Sequence, residues 1–215
     1  MINTVIFDMD GVLIDSEVIY LNSLKKYLNS INIITEIEEL IFVLGMSMKD
    51  ISRGLIEKFG IKDISIEKLI SGQNEFFDEE IHSTKLECME GLIPFLTFLK
   101  ENKCKTVLAS SSDIVWITQV LSELSITKYF DLLIDGKQVK NSKPNPDIFN
   151  LAVEKIQCKK NECIVIEDSY NGINAAINAG IFVVGFKGSK IVQNTAKANT
   201  EVFSFESIKS IVRPQ

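Results

Sequence analysis

The chain has 215 residues, 46% of them hydrophobic, and a formal net charge of −6 at pH 7. This length suits one domain, or one domain with a modest insertion, and the apolar content is ample for a buried core. An acidic balance with dispersed basic residues argues against a nucleic-acid partner, no apolar run approaches the roughly 18 residues of a membrane span, and Met1-Ile2-Asn3-Thr4 lacks the basic and apolar pattern of a secretion signal.

The first apolar run, Thr4-Val5-Ile6-Phe7, is continuous and rich in β-branching, as in a strand covered on both faces, and it ends in Asp8-Met9-Asp10-Gly11. From Glu17 to about Ser83 the pattern is mostly helical. Leu21, Leu24, Tyr27 and Leu28 make one stripe, Ile51, Leu55, Ile56 and Phe59 make another, and Phe76 and Phe77 fall late in a third helix. The next strand run, Thr106-Val107-Leu108-Ala109, starts about 100 residues after Phe7 and ends in Ser110-Ser111-Ser112. Ile114, Ile117, Val120, Leu121 and Leu124 then carry the helical period. Leu132-Leu133-Ile134 predicts a third strand, followed after a short linker by Lys143-Pro144. Asn145-Pro146 offers an N-cap and an N1 proline for a helix through Ile156. Ile164-Val165-Ile166 runs into Glu167-Asp168-Ser169, Tyr170 to Ala179 reads as a short helix closed by Gly180, and Ile181-Phe182-Val183-Val184 is a fifth strand. Strands alternating with helices imply right-handed crossovers and a parallel sheet, an α/β fold.

In such a sheet the strand ends lie along one edge, where open α/β sheets bind ligands. Asp8, Ser110, Lys143, Glu167 and Asp168 then converge, although 160 positions separate Asp8 from Asp168. Asp8 and Asp10, two apart at a strand end, start on the same side, and Gly11 permits a sharp turn. Two carboxylates so placed can divide the work of nucleophile or metal ligand from that of general acid and base; taken alone they equally describe a solvated acidic turn. Ser110-Ser111-Ser112 and Asp168-Ser169, taken alone, describe helix N-caps. Hydroxyl and N–H groups at a helix start also take phosphate oxygens. The helical segment, placed directly after the first carboxylates, either closes over the sheet edge like a lid or extends the core.

The run Asp8-Met9-Asp10-Gly11-Val12-Leu13-Ile14-Asp15-Ser16 fits D-x-D-G-V/T-L-x-D-S. With Ser110–Ser112, Lys143-Pro144 and Glu167-Asp168 following in order, essentially the whole chain closely resembles the haloacid dehalogenase-like phosphatase superfamily. It is similar to the subgroup with a helical cap after the first motif, which includes sugar-phosphate phosphatases and β-phosphoglucomutase. The resemblance implies a Rossmann-like parallel-sheet core at residues 1–15 and 85–215 with an inserted α-helical cap at 16–84. It implies a phosphoric monoester hydrolase that acts on a small-molecule phosphate ester through an aspartyl-phosphate on Asp8. Mg²⁺, a hard cation that prefers oxygen, is then held by Asp8, the Asp10 backbone carbonyl and Asp168, with Glu167 a direct or outer ligand. Lys143 offsets the charge of Asp8 and the phosphoryl oxygens. Ser110, with Ser111 beside it, binds the phosphoryl group, and Asp10 protonates the leaving alkoxide and later activates water.

The one histidine, His82, lies near the far end of the helical segment and is expected in a surface or hinge role. No Ser-His-Asp triad assembles around it, which favours carboxylate chemistry. Cys88, Cys104, Cys158 and Cys163 form no C-x-x-C pair and read as reduced thiols. Asp15 and Glu17 lie where the first loop enters the helical segment, Asp15 as a candidate brace, Glu17 as a candidate substrate contact, with Ser16 a candidate cap. Gly45-Met46-Ser47-Met48-Lys49 resembles the cap loop that reads the substrate, which makes Met48, Lys49 and Arg53 candidate contacts; Lys49 and Arg53 also read as plain helix-face charges. The mutase branch would offer a histidine soon after the first motif and an arginine in the cap loop, where this chain has Tyr20 and Met48. The expectation is therefore a Mg²⁺-dependent phosphatase of small phosphorylated metabolites, of sugar or polyol phosphates. A phosphosugar mutase is the alternative, and a non-catalytic binding protein with a retained site is the third. The remaining expectations are a cytoplasmic monomer that binds neither nucleic acid nor membrane.

Overall fold

The computed structural model describes residues 2–44 and 46–212, without the side chain of His82. Gly45 of the expected substrate-reading loop and the expected role of His82 lie outside the described residues. The chain divides into two compact units, Met1–Asp15 with Leu86–Gln215 and Ser16–Lys85. In chain order the elements are β1 (Thr4–Phe7), α1 (Ser16–Ser30), α2 (Ile37–Leu40), α3 (Met48–Phe59), α4 (Ile66–Ser83), α5 (Leu92–Glu101) and β2 (Lys105–Ala109). There follow α6 (Ile114–Glu123), β3 (Leu132–Ile134), α7 (Asp147–Ile156), β4 (Cys163–Glu167), α8 (Tyr170–Ala179), β5 (Phe182–Phe186), β6 (Thr200–Val202) and α9 (Phe205–Lys209).

In the first unit the strands form one parallel sheet in the order β3-β2-β1-β4-β5-β6. The α/β reading of the sequence holds, and β1 is central: Thr4 pairs with Lys105 of β2 on one side and Cys163 of β4 on the other. Every residue of β1 is fully buried because its alternate side chains point into two apolar layers. Ile6 joins Val107, Val165 and Val183 against Ile148, Phe149 and Ala152 of α7 and Ile173 and Ala176 of α8. Phe7 points the other way, edge-on to Phe95 of α5 (6.0 Å between ring centres), which stacks on Phe205 of α9 (5.5 Å). A continuous apolar run is what two covered faces demand.

Two details depart from the sequence expectation. The helix expected from an Asn145 cap opens one residue later, at Asp147, with Pro146 at the cap. Asn145 instead donates its amide to the Ser142 carbonyl (3.1 Å), and the Asp147 carboxylate accepts from Asn141 N (3.1 Å), so the polar groups are used in the preceding turn. The short edge strand β6 was not foreseen, since Thr200-Glu201-Val202 is too brief to show a period. Its Glu201 pairs with Lys187 (2.9 Å), a charged edge of the kind that discourages further strand pairing.

The second unit is helical. Leu21, Leu24, Tyr27 and Leu28 of α1 are buried, and α1 packs chiefly on α4, with Tyr27 against Phe76 (5.5 Å) and Tyr20 against Phe77 (5.9 Å). A chain of hydrogen bonds ties three helices inside it. The Tyr20 hydroxyl donates to Gln73 Oε1 (3.1 Å), Gln73 Nε2 to Ser52 Oγ (3.1 Å), and Ser52 Oγ to the Met48 carbonyl (2.9 Å). Gln73 and Ser52 are buried, and these partners satisfy them. Among the described residues no helix is long and apolar enough to cross a membrane.

Phe95 is the hinge of the aromatic layer, and Phe95→Ala should cost about 3–5 kcal/mol of unfolding free energy, the usual range for a large ring lost from a core. Urea unfolding checks this; a loss below about 1 kcal/mol would contradict the packing described.

Candidate active site

The C-terminal ends of β1, β2 and β4 lie side by side because the three strands are parallel and in register. Asp8 follows β1 directly and its N–H donates to the Ile166 carbonyl of β4 (3.0 Å). The chain then folds back on itself: Leu13 N–H donates to the Met9 carbonyl and Gly11 N–H to the Ile14 carbonyl, both at 2.8 Å. Met9, Val12, Leu13 and Ile14 are buried, which anchors this loop to the core and holds Asp8 and Asp10 on a rigid base. Gly11 has φ +73°, and a Cβ there would lie 1.9 Å from Asp168 Oδ2, so both the turn and the approach of Asp168 require glycine.

On the next strand, Glu167 closes β4, with Asp168 after it. Both are buried. Glu167 Oε2 accepts from the backbone N–H (3.0 Å) and hydroxyl (2.9 Å) of Ser169, whose Oγ in turn caps α8 by accepting from Gly172 N (3.1 Å). A Cβ at residue 172 would sit 1.6 Å from Glu167 Oε1, so the first turn of α8 can wrap this carboxylate only with glycine there. Asp168 Oδ2 accepts from Gln193 Nε2 (3.0 Å).

Lys143 comes in from the linker after β3, and its side chain is 7% exposed. Its ammonium donates to Asp8 Oδ1 (2.6 Å), Glu167 Oε1 (2.7 Å) and, at 3.3 Å, the Ala109 carbonyl at the end of β2. Three acceptors use its three donors, one on each of the three strands. Ser110 follows β2, is buried, and its Oγ accepts from Ser112 N (3.1 Å). Ser112 Oγ donates to Asp10 Oδ2 (3.2 Å). Ser111 is exposed.

The electrostatics follow from the head count. Ligand oxygens of Asp8, Glu167 and Asp168 lie within 4.8 Å of one another, three carboxylates against one ammonium. Burial pushes the Asp8 carboxyl up to about 8; Lys143 opposes this, while Glu167 and Asp10 add to it. Burial alone would lower the Lys143 ammonium, but Asp8 and Glu167 outweigh it and hold that group above its ordinary range. A buried, oxygen-only cluster with surplus negative charge suits a hard divalent cation such as Mg²⁺.

The other candidates lie elsewhere in the chain. Asp15 accepts from Ser189 Oγ (2.8 Å) and Lys190 N (3.1 Å), fastening the first loop to the segment that carries Gln193. Glu17 stands in the first turn of α1, and Ser16 is the first residue of that helix. Met48, Lys49 and Arg53 lie on α3, where Met48 Sδ is 4.0 Å from the Tyr20 hydroxyl oxygen. Burial, then Glu17, raise that hydroxyl above its ordinary range. Arg53 pairs with Asp50 one turn away (3.1 Å) on the exposed face. Sequence reasoning missed Ser112 as the partner of Asp10, Gly172 as the seat of Glu167 and Gln193 as the partner of Asp168. Ser112 was within reach as the third of the serine cluster; Gly172 and Gln193 carry no signal of spacing.

A pH dependence follows. Asp8 binds its proton more tightly folded than unfolded, so its contribution to stability is full below about its ordinary value of 3.8 and is lost as pH rises toward 8. Lys143, raised from 10.5, stays charged across that window. In chelator, Asp8→Asn should therefore gain stability relative to the wild type between pH 5 and pH 8, read by urea unfolding. A variant that is less stable at pH 8, with no trend, would contradict the assignment.

Residues 5–186 match the family described as haloacid dehalogenase-like hydrolase. A phosphorylated carbohydrates phosphatase of Thermotoga maritima is 33% identical over 177 residues, which cover 82% of this chain and 81% of that protein. A β-phosphoglucomutase of Bacillus subtilis is 28% identical over 186 residues, covering 84% and 81%. In fold, a haloacid dehalogenase-like protein of unknown function from Agrobacterium tumefaciens superposes with a TM-score of 0.86 at 24% identity, over 98% of this chain and 97% of that one. A family match over most of the chain, on a parallel sheet whose strand ends gather these carboxylates and this lysine, makes the chain a member of the haloacid dehalogenase-like hydrolase family.

Proposed function

We propose that the protein is a Mg²⁺-dependent phosphatase that hydrolyses small phosphorylated metabolites, sugar or polyol phosphates, through an aspartyl-phosphate on Asp8. The observation that carries this reading is the Lys143 ammonium bonded to Asp8 and Glu167 at once, beside Asp168. Asp8, Asp168 and the Asp10 carbonyl are the residues that would hold the cation, with Glu167 at its edge. When bound it neutralises carboxylate and phosphate charge, without which two anions would not approach.

In this reading the Asp8 oxygen not bonded to Lys143 attacks phosphorus, and the bond from phosphorus to the ester oxygen breaks. Asp10 gives its proton to the departing alkoxide, then takes one from the water that cleaves the acyl phosphate. Ser112 holds the Asp10 carboxyl for both transfers. The Ser110 hydroxyl, whose lone pair is engaged by Ser112 N, keeps its proton free to donate to a phosphoryl oxygen. Ser111 offers a second hydroxyl beside it, and Lys143 remains the fixed positive charge. Residues 16–84 act as the cap that selects substrate, with Glu17, Met48, Lys49 and Arg53 as its candidate contacts.

The second reading, a phosphosugar mutase, is favoured by the Bacillus subtilis relative. A mutase must grip a second phosphate and keep water from the phospho-enzyme. Tyr20 and Met48, at the two places in question, are neutral and lie against each other, so neither offers a second phosphate a positive charge, which favours the phosphatase.

The test is release of inorganic phosphate from a panel of small phosphate monoesters. Chelation should abolish turnover and Mg²⁺ restore it. Asp8→Asn should lower turnover at least ~10³-fold and Asp10→Asn about 10²–10⁴-fold. Full activity in excess chelator, or near-wild-type turnover of Asp8→Asn, would refute the reading. In the same panel, isomerisation of β-glucose 1-phosphate should be slow beside the best hydrolysis. Efficient isomerisation with negligible phosphate release would make the mutase the better account. Met48→Arg and Lys49→Ala should shift substrate preference mainly through KM.

A further inference from the structure

Cys158 and Cys163 face each other at the opposite end of the sheet from the carboxylates. Their Sγ atoms are 2.8 Å apart, and Cys163 Sγ also donates to the Lys159 carbonyl (3.2 Å). Cys163 is the first residue of β4, in register with Thr4, while Cys158 follows the left-handed turn at Gln157 that ends α7. The two thiols thus flank the four-residue turn that leads from the end of α7 into β4. A disulfide has its sulfurs about 2.05 Å apart, so the pair needs to close by only about 0.8 Å. Nothing in the phosphate chemistry uses either thiol.

Access differs between them. Cys158 is half-buried and Cys163 fully buried. Lys159 and Lys160 outnumber the one acid of the turn, Glu162, which lies 4.0 Å from Lys159, so the turn keeps one net positive charge. An anionic disulfide is attracted there.

We propose that Cys158 and Cys163 form a reversible intramolecular disulfide by exchange with a small anionic disulfide of the glutathione class. Cys158, the accessible thiol, loses its proton and attacks one sulfur of the reagent, whose S–S bond breaks and releases one thiolate, protonated to a thiol. Cys163 then loses its proton and attacks Cys158 Sγ, and the second half of the reagent leaves as a thiol. The protein pair is oxidised by two electrons and the reagent is reduced to two thiols. Burial pushes the Cys163 thiol up, which makes it the second nucleophile rather than the first. Four residues of strand, about 13 Å, separate Cys163 from Glu167, so the bond forms without touching the acidic site.

The test is oxidation of the full-length protein by oxidised glutathione, followed by thiol counting and non-reducing tryptic mapping. Two of the four thiols should disappear, with peptide Ile156–Lys159 joined to Asn161–Lys187, and dithiothreitol should restore both. Cys158→Ser should abolish the linked pair. Cys163→Ala should instead arrest the reaction as a glutathione adduct on Cys158. Persistent free thiols at 158 and 163, a stable adduct on wild-type Cys158, or linkage through Cys88 or Cys104 would each overturn the proposal.

Discussion

A single ammonium group, Lys143 Nζ, bonds to the ends of three parallel strands: to Asp8 after β1, to the Ala109 carbonyl of β2 and to Glu167 of β4. Taking these charges out of water costs several kcal/mol per ion, and only close geometry with every donor satisfied recovers it. The arrangement recovers it incompletely, because the one ammonium bonds to Asp8 and Glu167 while a third carboxylate, Asp168, lies beside them. Burial raises the Asp8 carboxyl most; Lys143 opposes it, and the neighbouring Glu167 and Asp10 add to it. Parallel strands in register are what make one lysine able to reach all three ends.

The rest of the first unit serves to hold this imbalance still. The buried loop Met9 to Ile14, the bare backbone at Gly11 and Gly172, and the Ser169 cap fix two carboxylates without giving them more charge. Functional groups on strand ends and helix starts are held more tightly than groups on free loops. Such a site stores instability: like charges stay close because the two apolar layers around β1 pay for them.

Legibility in the sequence followed the range of the interaction. Asp8, Asp10 and Gly11 are neighbours, and β1 before them is a continuous apolar run, so their placement at a strand end could be read directly. Ser110, Lys143 and Glu167-Asp168 were readable because each follows a strand run or precedes a helix start. Gln193 was not, for it lies in an irregular segment that Asp15 fastens at Ser189, 174 positions away, and that brings its amide to Asp168. Gly172 looked like any helical glycine until the carboxylate against it was seen. β6 was lost for want of length, and the cap at α7 moved because Asn145 and Asp147 bond within the preceding turn. The close approach of Cys158 to Cys163 was equally hidden, since their spacing matches no motif.

The central claim is that Asp8 becomes covalently phosphorylated. The most direct measurement is acid quenching of the Mg²⁺-loaded enzyme within a turnover of a good phosphate ester, borohydride reduction of any acyl phosphate, and mass mapping of the amino-terminal peptide. The account predicts that residue 8 is converted to homoserine in the quenched wild type and left unchanged without substrate. Rapid phosphate release with residue 8 unmodified, or with the modification on another carboxylate, would contradict it.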